Sequence, residues 1–197
     1  MHTLAMPDAD VVYVPQFVKQ TEATAFFEQL YCSLPWSQDD IYLFGKRTKI
    51  PRLQVWYGDK DARYIYSGLL MQPKPWTPLL LALKARCESK CQARFNSVLA
   101  NLYRDGQDSM GMHADDEIEL GNQPVIASIT LGAERQFIFK HKNTKQKVAL
   151  LLKHGSLLIM RGLTQSYWQH GMNKTKRVHT PRINLTFRYI NRKSVER

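Results

Sequence analysis

The 197-residue chain has little cysteine and no long apolar run. Cys32, Cys87 and Cys91 form no Cys-x-x-Cys pair, which argues against a disulfide framework; we expect Cys87 and Cys91 to be buried thiols. The longest apolar stretches, 79–83 and 148–152, have five residues each, far short of the ~20 that span a bilayer. No basic segment followed by an apolar one opens the chain. We therefore expect a soluble intracellular protein with no membrane partner.

Acidic side chains are scarce in the C-terminal third. Residues 1–40 carry a net charge of −5, whereas 135–197 contain 15 basic residues and one acidic residue, Glu196. This asymmetry is typical of a surface that faces a polyphosphate. An anionic membrane surface is the alternative, but no basic amphipathic helix is present to bind it. We expect nucleic acid to be the partner.

The hydrophobic periodicity predicts a mainly β fold with flanking helices. Helices are predicted from an N-cap at Thr21 to residue 34 and over 76–92. Short strands are predicted at 41–44, 52–57, 63–67, 97–103, 125–131, 135–141, 147–152, 156–161 and 182–190. Residues 104–124 are the one long loop in this series. The pattern indicates one compact β-sandwich or barrel with helices packed outside it.

The last predicted strand has one wholly polar face. Because side chains alternate along a strand, Arg182, Asn184, Thr186 and Arg188 share that face. In an ordinary half-buried strand such a face points to water. A second interpretation is that the two guanidinium groups, folded inward from Cα atoms ~20 Å apart, leave a gap of about 6 Å that accommodates a short dicarboxylate.

A His-x-Asp pair, His113 and Asp115, lies in the long loop. Alone it has little weight, since chance supplies roughly 0.3 such pairs in a chain of this composition. With one distant histidine it would form the two-His-one-carboxylate face that binds non-haem Fe(II). We select His170, which lies among apolar residues shortly before the arginine-bearing strand. The other candidates are His2, His141, His154 and His179.

Together these residues resemble the AlkB family of Fe(II)- and 2-oxoglutarate-dependent nucleic-acid dealkylases over roughly residues 40–190. The resemblance is strongest to the duplex-DNA repair branch. It is carried by the His-x-Asp pair, the arginine-bearing strand, Asn101-Leu102-Tyr103, Phe44-Gly45-Lys46, Pro51-Arg52, Tyr57-Gly58-Asp59, Tyr66-Ser67-Gly68, Pro73-Lys74-Pro75-Trp76 and His154-Gly155-Ser156. It implies a double-stranded β-helix, or jelly roll, at 96–197, a nucleotide-recognition lid and supporting helix at 41–95, and an N-terminal extension at 1–40.

The resemblance also implies the ligands and their sites. Fe(II) would be bound by His113, Asp115 and His170, with O₂ as cosubstrate. The distal carboxylate of 2-oxoglutarate would meet Arg182 and Tyr103, and its iron-chelating end Arg188 and Asn101, with Asn184 and Thr186 in support. The implied reaction is oxidative dealkylation of bases of the 1-methyladenine and 3-methylcytosine type, releasing aldehyde, succinate and CO₂.

The resemblance also implies which residues contact the substrate base. Phe44 would fill the gap left by a flipped base, although an ordinary core position is the alternative. Tyr66 and His113 would sandwich the base, with Tyr57 and Ser67 beside it. At the position of Tyr66 the duplex-DNA repair branch has phenylalanine, so this chain differs from it there. Asp116 and Glu117 would favour cationic bases, unless they form only a solvated loop.

The basic residues would follow the DNA backbone, and those singled out are Lys140, Lys142, Lys174, Lys176 and Arg177. We expect a monomer that acts on alkylated DNA, duplex as well as single-stranded. Two alternatives remain open. One is the same chemistry on RNA or another substrate, and the other is a non-catalytic nucleic-acid-binding domain.

Overall fold

The computed structural model describes residues 1–43, 46–62, 64–66 and 69–191. Its helices are α1 (Gln20–Ser33), α2 (Pro78–Cys91), the single turn α3 (Thr164–Tyr167) and a 3-10 turn, Ile118–Leu120. Its strands are β1 (His2–Thr3), β2 (Asp10–Val14), β3 (Asp40–Leu43), β4 (Lys46–Lys49), β5 (Leu53–Gly58), β6 (Tyr64–Tyr66), β7 (Leu69–Met71), β8 (Ser97–Tyr103), β9 (Met110–His113), β10 (Ile126–Gly132), β11 (Arg135–His141), β12 (Lys147–Leu152), β13 (Ser156–Arg161), β14 (Trp168–Met172) and β15 (Arg182–Arg188).

Two antiparallel sheets form the body of the protein. The large sheet has the order β1-β2-β13-β10-β15-β8-β5, and the small sheet has the order β12-β11-β14-β9. The pairs β3–β4 and β6–β7 form separate hairpins. Every pairing in the two main sheets is antiparallel, and β15 lies between β10 and β8 near the middle of the large sheet. The predicted mainly β fold with flanking helices is confirmed.

The outer face of the large sheet is covered by the two long helices. Leu30 of α1 and Leu83 of α2 pack with Leu185 of β15 in one apolar cluster. The helix α2 begins at Pro78, two residues after the predicted start, because the Thr77 hydroxyl oxygen accepts a hydrogen bond from the backbone N–H of Leu80 (3.2 Å) and proline follows at the first helical position. The predicted burial of the two cysteines of α2 is confirmed.

The start of α1 differs from the prediction. Lys19, not Thr21, is the N-cap residue, and no side chain caps the helix. The face that α1 buries still contains Ala23 and Leu30, as its spacing predicts. The cap was therefore assigned wrongly, whereas the apolar face was assigned correctly.

The space between the sheets is apolar at one end and polar at the other. At the β2–β13 end, Phe139, Leu158 and Trp168 belong to a buried apolar cluster. At the β15–β8–β5 end, the same inner face carries the buried polar residues Arg182 and Asn101. The functional site predicted from the sequence lies at this polar end.

Several strands were not predicted. The strand β9 lies within the predicted loop, and its Met-Gly-Met-His sequence has no alternation of polar and apolar residues. The strand β14 contains a glycine and is also irregular. The strand β2 pairs with both β1 and β13 and is largely buried, so its run of apolar residues does not alternate. Among the described residues, none of the helices has the length and apolar character needed to cross a bilayer.

Candidate metal centre and cavity

A cavity of about 550 Å³ opens at the polar end of the sandwich. This volume suits a small-molecule or single-nucleotide site. Apolar side chains dominate part of its wall and charged side chains the rest. Its lining residues are Ile50, Pro51, Arg52, Gln54, Trp56, Leu99, Ser109, Met110, Gly111, Met112, His113, Ala114, Asp115, Glu117, Leu120, Arg188 and Ile190.

The three predicted metal ligands meet at the wall of this cavity. His113 ends β9, Asp115 follows it, and His170 lies in β14 directly opposite His113. The Nε2 atoms of His113 and His170 are each 4.0 Å from an Asp115 carboxylate oxygen, and one ligand atom of each residue lies within 4.8 Å of the others. Two imidazoles and one carboxylate are a donor set suited to Fe(II).

Both imidazoles can offer a lone pair to a metal ion. The Nδ1–H of His113 donates to the backbone carbonyl of Gly111 (2.9 Å), which leaves Nε2 unprotonated in the neutral ring. Burial, assisted by the nearby His113, lowers the pKa of His170 to about 3, so this ring is neutral at physiological pH. The ring of Phe137 stacks on His170 with a centroid separation of 5.3 Å and restrains its orientation.

Asp115 is buried and ionised. Burial acts to raise its pKa, but Arg188, with the two histidines, outweighs that effect and the pKa is lowered. One nitrogen of Arg188 donates to both carboxylate oxygens, at 2.8 and 2.9 Å. The backbone N–H of Asp115 donates to the side-chain oxygen of buried Gln165 (2.9 Å). Both the carboxylate and the peptide of this residue are therefore held in place.

Arg182 lies at the other end of the polar row, beside Tyr103. Its guanidinium lies 5.3 Å from the centre of the Tyr103 ring and donates to the Thr130 hydroxyl (2.8 Å). Burial lowers the pKa of Arg182 to about 10, which leaves it charged at neutral pH. Within the described residues its buried Nε has no hydrogen-bond partner. A buried cation with a donor to spare fits a carboxylate ligand.

The remaining residues of the polar row support their neighbours. The side-chain amide of Asn184 donates to the Ser128 hydroxyl (2.7 Å) and accepts from Thr186 (3.2 Å). Asn101, on the adjacent strand β8, accepts from Arg52 Nε (2.9 Å). The predicted inward-facing row is therefore buried, although Arg188 binds a carboxylate of the protein itself rather than lying free.

The predicted substrate contacts are only partly brought together. Glu117 lines the cavity, but Tyr57 does not: it packs in the core under the helices, and its neighbour Trp56 faces the cavity. The reason is the alternation along β5, which turns Trp56 and Tyr57 to opposite faces of the sheet. Asp116 also lies outside the lining, because its carboxylate is bound by Lys142 (2.9 Å).

Three substrate predictions fall outside what the structure describes, namely Phe44, Ser67 and the side chain of Tyr66. The basic residues differ in exposure. Lys174, Lys176 and Arg177 are exposed on one loop between β14 and β15, and Lys140 is half-buried on β11. The ammonium group of Lys142 binds Asp116 and the backbone carbonyl of Gln165 (2.9 Å).

The sequence interpretation gave no role to two residues of the site. Arg52 lines the cavity, and the alternation of Arg52, Gln54 and Trp56 is the same signal that singled out the polar row of β15. Gln165, which fixes the Asp115 peptide, lies in the single turn α3 and offers no comparable pattern.

The comparisons with known proteins concern nearly the whole chain. The family model of the 2OG-Fe(II) oxygenase superfamily matches residues 10–188. The chain is 42% identical over 190 residues to the alpha-ketoglutarate-dependent dioxygenase alkB homolog 3 of Bos taurus, covering 91% of this chain and 66% of that protein. It is 40% identical over 192 residues to the DNA oxidative demethylase ALKBH2 of Homo sapiens, covering 92% and 73%. For ALKBH2 of Mus musculus the identity is 46% over 159 residues, covering 76% and 66%.

The chain spans 57–73% of the length of the curated relatives that it matches. Among solved structures, OsALKBH1 is similar with a TM-score of 0.69 and 19% identity, covering 94% of this chain and 99% of that one. At this identity the similarity shows a shared fold. It agrees with the two-sheet architecture described above.

Proposed function

Because the chain belongs to the AlkB family within the 2OG-Fe(II) oxygenase superfamily, we propose that it is a dioxygenase that repairs N-alkylated bases in DNA by oxidative dealkylation. The substrates are bases of the 1-methyladenine and 3-methylcytosine type, and the products are the aldehyde, succinate and CO₂. The observation that carries this proposal is the convergence of two imidazoles and a carboxylate beside a cavity and next to the polar row that contains Arg182 and Arg188.

His113, Asp115 and His170 would hold the iron. The low pKa of His170 and the hydrogen bond from His113 Nδ1 to a carbonyl support this role, because a ligating imidazole must be neutral with its lone pair free. Bound Fe(II), with 2-oxoglutarate and O₂, supplies the oxidising chemistry. The protein's part is to position the base and exclude water.

Arg182 and Tyr103 would bind the distal carboxylate of 2-oxoglutarate, and Arg188 and Asn101 the end nearest the iron. The unpartnered Nε of Arg182 and the burial of its charge support the first assignment. The position of Arg188 against the iron-ligand carboxylate supports the second. Asn184 and Thr186 would hold the row in register through their mutual hydrogen bond.

The alkylated base would enter the cavity after leaving the helical stack. Flipping costs a few kcal/mol, and less when methylation has already broken the base pair. Glu117 would favour a cationic base, because its carboxylate lines the cavity. His113 would contact one face of the base, and Tyr66 the other, with Ser67 beside it and Phe44 filling the vacated stack.

The exposed basic residues would contact DNA phosphates, in duplex as well as single-stranded substrates, with the protein acting as a monomer inside the cell. Lys174, Lys176 and Arg177 are the exposed members of this set. Each phosphate contact makes binding salt-dependent, with a slope of about −0.9 per contact on duplex DNA. Raising the salt concentration should therefore weaken DNA binding steeply, and a flat response would contradict a nucleic-acid substrate.

The test is formaldehyde release from methylated oligonucleotides with Fe(II), 2-oxoglutarate and air. Duplex DNA, single-stranded DNA and RNA are compared at equal lesion concentration. We expect release from DNA that is abolished by His170→Ala and retained by His2→Ala, a matched change at an exposed histidine far from the site. Release that survives His170→Ala contradicts the ligand assignment. Release from RNA alone contradicts the DNA substrate, and no release with retained DNA binding favours the non-catalytic alternative.

A further inference from the structure

A second guanidinium lies buried near the Arg182 end of the polar row. Arg135, the first residue of β11, is only 2% exposed. It donates three hydrogen bonds to backbone carbonyls: to Asp105 (3.0 Å), Asp108 (3.0 Å) and Asn173 (2.8 Å). Ordered, charge-assisted bonds of this kind are stronger than neutral ones. The hydrogen bonds of Arg135 thus go to main-chain carbonyl groups rather than to a side-chain carboxylate.

The three carbonyls belong to the segments that carry the functional residues. Asp105 and Asp108 lie in the loop that leaves β8 just after Tyr103 and leads to β9, which ends with His113. Asn173 directly follows β14, which carries His170. Arg135 consequently joins the end of β8, which bears Tyr103, the segment that enters β9 and the end of β14, which carries His170. Its position fixes the Tyr103 end of the row relative to the metal centre.

Among the buried side chains described at this end, positive charge exceeds negative charge. Arg135 and Arg182 are both buried, and the buried carboxylate that interacts with Arg135 is that of Asp108. Asp108 is already engaged by Arg104, which donates to both of its oxygens at 2.8 Å. Arg135 and Arg182 both interact with Tyr103 and repel each other. A buried excess of positive charge is stabilised by an anion.

We propose that Arg135 is a positioning residue that makes the Arg182 end of the site selective for a 2-oxo acid with a second carboxylate. It acts by fixing the backbone around Tyr103 and by adding its charge to that of Arg182. The inference rests on the proposed function, in that 2-oxoglutarate is taken to bind with its distal carboxylate at Arg182. It adds a residue that does not itself touch the cosubstrate.

The test measures binding without turnover, in the full chain loaded with Mn(II) and without DNA. Calorimetry gives the Kd of 2-oxoglutarate and of 2-oxopentanoate, which has the same carbon chain but lacks the distal carboxylate. We expect Arg135→Met to weaken 2-oxoglutarate binding about tenfold or more and to leave 2-oxopentanoate within about twofold. Arg86→Met is the matched control, because it removes a partly exposed guanidinium on the outer helices, where it pairs with Glu22 (2.8 Å), and it should change neither Kd.

Equal weakening of both acids by Arg135→Met would show a merely structural role and overturn the inference, as would no weakening of either. If Arg135→Met does not fold, Arg135→Lys decides, because a lysine ammonium keeps the charge but cannot reproduce the planar three-way contact. We expect it to lower the 2-oxoglutarate preference about threefold, and an unchanged preference overturns the inference. Failure of the unaltered protein to bind 2-oxoglutarate would instead overturn the proposed function.

Discussion

Replacing Arg188 with methionine removes the main partner of a buried carboxylate while keeping most of the side-chain volume. Arg188 and Asp115 are 12% and 6% exposed, and the two hydrogen bonds between them measure 2.8 and 2.9 Å. Leaving a buried charge without its partner costs about 3–5 kcal/mol. For a chain of this size each kcal/mol lowers Tm by about 2–4 °C, so the metal-free variant should melt roughly 6–20 °C below the unaltered protein.

A bound divalent cation should reverse much of this loss. In the metal-free protein Asp115 depends on Arg188 for its compensating charge. A metal ion supplies that charge itself, and in Arg188→Met no guanidinium at position 188 repels the ion. The increase in Tm on adding Mn(II) should therefore be larger in Arg188→Met than in the unaltered protein.

Thermal unfolding in chelator and in excess Mn(II) measures both effects. Arg161→Met is the matched control, because it breaks the 2.7 Å pair with Asp10 in which both side chains are more than 40% exposed. Such an exposed pair contributes about 0–1 kcal/mol, and its loss should not depend on metal. Equal stability of Arg188→Met and Arg161→Met in chelator would refute the reasoning, as would a smaller metal-induced shift in Arg188→Met.

Two further predictions concern Gln165 in α3 and Asp108 in the loop between β8 and β9. Gln165→Leu removes the acceptor for the Asp115 backbone N–H and should raise the Kd of Mn(II) about tenfold by calorimetry. Lys142→Met removes an ammonium group that binds the Gln165 carbonyl and Asp116, and it should leave this Kd unchanged. Burial acts to raise the pKa of Asp108, but the hydrogen bonds from Arg104 outweigh it and the pKa is lowered. This carboxylate therefore stabilises the fold above its unfolded pKa of about 3.9, and the contribution is lost as the pH falls through the lowered folded value. Urea unfolding of Asp108→Asn should show a flatter dependence on pH in that acidic range, and an unchanged slope would contradict the assignment.

Most of the large sheet could be predicted from the sequence, because its strands have one apolar and one polar face. In that sheet the bounds of β8 and β13 agree with the predicted ranges and β15 ends two residues early; in the small sheet the bounds of β11 and β12 agree. The convergence of His113 with His170 could not be derived from spacing, since the two strands pair across 57 positions of chain. His170 was selected for its apolar surroundings and its place before the arginine-bearing strand, the resemblance to a family implied the same residue, and the strand pairing supports it.

The errors have local causes. The resemblance implied that Tyr57 lies beside the base, whereas the alternation along β5 places Trp56 in the cavity and Tyr57 in the core. Asp116 and Glu117 were treated as one unit, but Lys142 engages Asp116, which lies outside the cavity lining, whereas Glu117 lines the cavity. A long-range ion pair of this kind has no signature in the local sequence.

The polar end of the sandwich explains why the fold needs its two long helices. A sheet of this kind ordinarily gains stability from an apolar inner face, but here Arg182, Asn184 and Thr186 occupy that face at the centre of the sheet. Their hydrogen bonds offset the cost of burial without adding apolar area. The outer face must therefore supply the core, and Ile183, Leu185 and Phe187, along with the residues beside them in the sheet, are buried there under α1 and α2. One strand thus carries the polar face of the site and the apolar face that stabilises it, so a shift of β15 by one residue would disrupt both at once.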